Sequence, residues 1–164
     1  MASAYLDTCV VSGIAKGDLA SETEAAVLEI LRIYKDGKLG LVTSETTATE
    51  IHKIPAQYRA KHEMIYNLLA NVPVAATHRT DSGLTLMGVG GGTRVDPLYS
   101  ALKAIVPDEQ DAVHLFQAAM NKVKYFVTTD NKTILRYAMN IRSACGVLAV
   151  SPLELVAEIS NETA

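Results

Sequence analysis

Cysteine is scarce in this chain. Its 164 residues include two, Cys9 and Cys145. Two thiols cannot make the framework of staples that holds small secreted domains together, so a reduced cytosolic setting is expected. Each reads as a small buried apolar side chain. Charge of one sign is also scarce. A net charge of −3 argues against a protein that coats nucleic acid through bulk positive charge. It leaves open an acidic site whose charge bound cations restore. Long apolar runs are missing: nothing approaches the ~20 residues that span a bilayer. No basic segment followed by an apolar run opens the chain, so no signal peptide is expected. The expectation is a cytoplasmic protein with no membrane partner. No internal repeat and no low-complexity tail breaks the pattern.

What the chain does have is a globular composition, 49% hydrophobic, over a length that supports one domain spanning 1–164. Apolar runs alternate with helical patterns. Strands are expected at Ala4 to Leu6, Leu39 to Thr43, Val72 to Ala76, Tyr125 to Thr128 and Val147 to Val150. Between them, Ser21-Glu22-Thr23-Glu24 reads as a capping box, with Ser21 as N-cap. The helix after it would bury Val27, Leu28, Leu31 and Tyr34, and Gly37 would stop it. Further helices are expected from about Ser44 to Lys53, after Pro55 with Met64, Ile65, Leu68 and Leu69 inward, and from Pro97 to Ile105. The last ones run from Asp108 to Lys122, with Asp108 as N-cap, from Lys132 to Asn140, and from Pro152. This order implies an α/β fold, a parallel sheet with helices on both faces. Thr77 to Asp96 holds Gly83, Gly88 and Gly90-Gly91-Gly92 and reads as a long mobile loop. No Lys-Ser/Thr follows the glycines, so a P-loop is excluded.

Four of the eighteen acids occupy notable places. Asp7 ends the first strand and Asp130 the strand after Tyr125. Asp111 lies in the first turn of an apolar helix, and Glu50 lies one or two turns into the helix after the second strand. In a parallel sheet ligands gather beyond the carboxyl ends of the strands, where the strand order reverses. Each acid also has an ordinary reading. Asp111 suits a helix dipole, Asp130 and Asp7 suit caps, and Glu50 suits a solvated face. Gathered together they would repel, by roughly 4 kcal/mol for two carboxylates ~4 Å apart at an effective dielectric of 20. A divalent cation would relieve that. Mg²⁺ or Mn²⁺ takes a few carboxylate oxygens and keeps waters, which suits phosphodiester hydrolysis.

The motifs resemble those of PIN domains, the fold of VapC-type toxin ribonucleases. Tyr5-Leu6-Asp7-Thr8-Cys9-Val10-Val11 is similar to the family's opening, and Ser44 to Ile51 to its second motif. Asp111 to Ala119 is similar to the third and Phe126 to Leu135 to the fourth. The resemblance covers nearly the whole chain. It implies a three-layer α/β/α sandwich with strand order 3-2-1-4-5 and Mg²⁺- or Mn²⁺-dependent cleavage of single-stranded RNA. It assigns Asp7, Glu50, Asp111 and Asp130 to the metal site, with Thr8 and Ser44 as hydroxyls that orient carboxylates. It also implies a small antitoxin as partner, and a homodimer. Cys9 stands where the family most often has Asn, so the polar contact of that Asn is expected to be missing. The glycine-rich stretch is longer than a minimal PIN domain needs. Alternatives are a PIN-fold module that binds RNA or protein without cutting, and a phosphatase or phospho-acceptor. The last fits poorly, because Cys9 occupies the place of the second Asp that an aspartyl phosphatase wants.

Overall fold

A computed structural model describes residues 1–57, 63–81 and 94–163, except the side chains of Glu50, Lys53, Met64, Glu162 and Thr163. Residues 82–93 of the expected glycine-rich loop fall outside the described residues. Four parallel strands form one sheet: β1 (Ala2–Leu6), β2 (Leu39–Thr43), β3 (Tyr125–Val127) and β4 (Leu148–Val150), in the order β2-β1-β3-β4. Ala2 pairs with Leu39 and Leu6 with Thr43, while Leu6 pairs with Val127 on its other side. The chain leaves β1 towards β2 and returns on the far side of β1. The strand order therefore reverses between β1 and β3, and their carboxyl ends open a crevice there.

Parallel strands are buried on both faces, and the side chains alternate accordingly. Ala4, Leu6, Tyr125 and Val127 turn to one core. There they meet helices α1 (Thr8–Lys16), α2 (Ser21–Lys35), α4 (Glu63–Leu69) and α8 (Pro152–Thr163), through Val10, Leu31, Leu69 and Leu155. Tyr5, Phe126 and Ala149 turn to the other core. That core is closed by α5 (Pro97–Ile105), α6 (Glu109–Met120) and α7 (Ala138–Cys145), through Leu102, Phe116 and Ile141. α3 (Glu45–Lys53) follows β2, and Ile54 before Pro55 adopts an extended backbone that ends it.

Three expectations need correction. The third strand is not formed as a strand; Val74 makes a single parallel bridge to Thr43 at the edge of β2. The pairing stops where β2 stops: Thr43 N donates to Pro73 O at 3.0 Å and Ala75 N to Thr43 O at 2.8 Å, and the chain beyond is fastened to α6. Asn121 accepts from Ala76 N at 3.0 Å and donates to Ala76 O at 2.8 Å. Gln117, one turn earlier, accepts from His78 N and donates to His78 O, both at 2.7 Å. Side-chain amides four residues apart thus satisfy the backbone groups that face away from β2. The capping box is also absent: Ala20 is the N-cap of α2 and makes no side-chain bond, which moves Ser21 into the helix. Glu22 and Glu24 then sit in the first turn, where the helix dipole favours them. Lastly, the helix expected from Lys132 to Asn140 is a turn and a 3₁₀ segment, Leu135–Tyr137, before α7 begins at Ala138.

Candidate functional site

The acids that follow strands lie at the carboxyl ends of β1 and β3, which are neighbours in the sheet. Asp7 is buried, 5% exposed, and its N–H donates to Val127 O at 3.0 Å, extending the β1–β3 ladder by one bond. It precedes α1 but makes no side-chain cap bond to it. Its Oδ2 instead accepts from Thr128 Oγ1 at 2.8 Å and from Cys9 Sγ at 3.0 Å. A carboxylate taken out of water needs such donors.

Asp130 sits three residues beyond β3. Its Oδ1 accepts from the backbone N–H of Lys132 at 2.8 Å and of Thr133 at 2.9 Å, so the cap reading of this residue holds for one oxygen. Its Oδ2 faces the Thr133 hydroxyl. The same hydroxyl lies 3.0 Å from Asp111 Oδ2, on the first turn of α6. One hydroxyl carries one proton, so two carboxylates compete for it.

The electrostatics differ between the two. Burial pushes the Asp111 carboxyl above its ordinary value, the Thr133 hydrogen bond pulls it back, and the charges of Asp108, Asp7 and Asp130 raise it further. For Asp130, burial acts upward. The Thr133 and Lys132 donors and the Lys132 charge outweigh it and hold the carboxyl below its ordinary value. Thr133 links Asp111 to Asp130, and the Thr128 hydroxyl links Asp130 N to Asp7, so hydroxyl bonds join the three residues. Glu50 lies in α3, and its side chain falls outside the described residues. Among the described residues no group of three or more His, Cys, Asp and Glu side chains is placed to hold a metal ion.

The expected polar contact beside Asp7 is present after all, supplied by sulfur. Burial, with the charge and hydrogen bond of Asp7, pushes the Cys9 thiol up to about 11, so it keeps its proton and can donate. Sγ in turn accepts from Thr129 N and Thr129 Oγ1, both at 3.3 Å. Thr8 and Ser44 bond to α3 among the described residues. Thr8 Oγ1 is 2.6 Å and Ser44 Oγ 2.8 Å from Thr47 Oγ1, and Ser44 caps α3 by accepting from Thr47 N at 3.0 Å. Both thus meet at buried Thr47. His114, one turn after Asp111, has its Nδ1 2.9 Å from the Tyr5 hydroxyl. Burial, partly offset by a Ser44 hydrogen bond, raises the Tyr5 phenol.

Sequence reasoning missed Thr47, Thr128 and Thr133. Thr128 and Thr133 lie inside the quoted fourth motif, and a hydroxyl within three residues of a strand-end acid was the available signal. Among basic side chains that could meet a phosphate, Arg79 is engaged with Asp81 at 2.8 and 2.9 Å and Arg136 lies over the Tyr137 ring. Lys132 is exposed beside Asp130. Arg59 and Lys61 fall outside the described residues, as does the side chain of Lys53. A hollow lined by Arg32, Lys35, Asp36, Glu63, Asn67 and Leu68 contains none of the four acids.

No protein-family model, no curated protein and no solved structure matches the chain.

Proposed function

We propose that the chain is a metal-dependent endoribonuclease of the PIN type. It would hydrolyse phosphodiester bonds of single-stranded RNA, with Asp7, Asp111 and Asp130 holding Mg²⁺ or Mn²⁺. The reading rests above all on the Thr133 hydroxyl, whose single proton lies between Asp111 and Asp130 while the charge of Asp7 reaches the same place. Hard carboxylate oxygens short of positive charge, at the strand-order reversal of a parallel sheet, suit a hard divalent cation. The order and spacing of the four motifs agree with it.

Bound there, the cation would stabilise charge on the phosphoryl oxygens and make water a better nucleophile. The chain's own residues do the rest. Thr128 and Cys9 hold Asp7 in one orientation, and two backbone N–H groups hold Asp130. Glu50 completes the set as a ligand or by orienting the attacking water. The PIN-like sandwich with five strands, the toxin role with a small antitoxin, a homodimer and a cytoplasmic location belong to the same reading.

A second reading is a PIN-fold module that binds RNA or protein without cutting. Cleavage of single-stranded RNA with Mn²⁺ separates the two. The nuclease reading expects cutting by the wild type and none by Asp7→Asn, with both proteins folded. Cutting by neither, or equally by both, would falsify it, and RNA binding that survives loss of the acids would favour the second reading.

A further inference from the structure

Cys9 makes a set of bonds out of proportion to a small apolar side chain. It lies at the start of α1, two residues after Asp7. Its thiol donates to Asp7 Oδ2 at 3.0 Å, and its sulfur accepts from Thr129 N and Thr129 Oγ1 at 3.3 Å. Thr129 immediately precedes Asp130. The other donor on the same oxygen of Asp7 is Thr128, at 2.8 Å, whose hydroxyl also accepts from Asp130 N at 3.1 Å. One thiol thus ties the helix after β1 to the segment after β3, across the gap that separates Asp7 from Asp130.

We infer that Cys9 is a positioning residue, which fixes Asp7 and registers it against Asp130 so that the two carboxylates present their oxygens to one cation. The inference rests on the metal-site reading above. Groups that orient ligand carboxylates commonly change metal affinity by about 10- to 100-fold when removed. Thr128 alone leaves Asp7 free to pivot about a single hydrogen bond, and Thr129 loses its link to α1. A purely space-filling cysteine would make a different prediction, since the half-buried side chain also packs against the core around Val10 and Val11.

Two substitutions separate donor from volume. Cys9→Ser keeps a donor and loses bulk; Cys9→Val keeps bulk and loses the donor. The experiment is calorimetric titration of the metal-free protein with Mn²⁺, with melting temperature measured in EDTA alongside. The expected result is Mn²⁺ binding by Cys9→Ser close to wild type and at least tenfold weaker binding by Cys9→Val. Cys9→Val should melt below wild type in EDTA, since buried Asp7 loses a donor, yet stay folded at the titration temperature. Equal affinities, or weaker binding by Cys9→Ser than by Cys9→Val, would overturn the positioning role while leaving the metal site standing. If Cys9→Val does not fold, Cys9→Ala replaces it under the same criteria. Failure of the wild type to bind Mn²⁺ would overturn the metal-site reading and this inference with it.

Discussion

Thr133 shares one proton between two carboxylates, and that fixes what its loss should do. Thr133→Val leaves Asp111 and Asp130 facing each other without a donor between them. The expected cost is about 1–3 kcal/mol of metal-free stability, the usual penalty for a polar group left unsatisfied. Urea denaturation measures it, and saturating Mn²⁺ should recover most of it by mass action. Asp111 gives a pH test. Its folded carboxyl lies above the ordinary value, so the stability of its protonated form is full below the unfolded value and lost as pH rises through the folded value. Asp111→Asn keeps an acceptor for Thr133 and carries no charge. It should therefore be more stable than the metal-free wild type at pH 7, with an advantage that shrinks as pH falls through the carboxylate range. Asp130, held low, works in the opposite sense: its contribution is present above its unfolded value and lost as pH falls through the folded one. Unfolding midpoints of the two proteins from pH 3 to 8 read the difference directly.

Among the elements, α6 carries both Asp111 at its start and the Gln117–Asn121 amides that fasten residues 76–78. Gln117→Ala should cost about 1–3 kcal/mol, because His78 N–H and C=O lose their partners. Hydrogen exchange should show the His78 amide losing protection while Phe126, inside the sheet, keeps it. The same amides explain which elements could be read from the chain. β2 matched its expected bounds, and α5 and the N-cap at Asp108 were legible, because alternation, a proline at the first turn and a capping acid are local signals. Val72 to Ala76 has strand composition, yet it bonds β2 only through Thr43, and Ala76 turns to Asn121, more than forty residues away, which no local pattern records. The break at Leu135–Tyr137 has a related cause. Asp130 Oδ1 binds the N–H of Lys132 and Thr133 in a turn, and the helix starts only at Ala138.

At the level of the whole molecule, two cores on opposite faces of one sheet bring the strand ends into register. Asp7 and Asp130 were placed from the sequence because strand ends share an edge in a parallel sheet. The hydroxyls around them were not, since Thr128 and Thr133 become partners of acids 121 and 22 residues away only after folding. The central claim is that this edge holds a divalent cation on Asp7, Asp111 and Asp130. The most direct measurement is anomalous diffraction from a crystal soaked in Mn²⁺. The account predicts a peak at the β1–β3 crevice with oxygens of these three carboxylates about 2.0–2.3 Å away, near the distances hard divalent cations take. A well-ordered crevice without a peak, or Mn²⁺ bound only elsewhere, would contradict it.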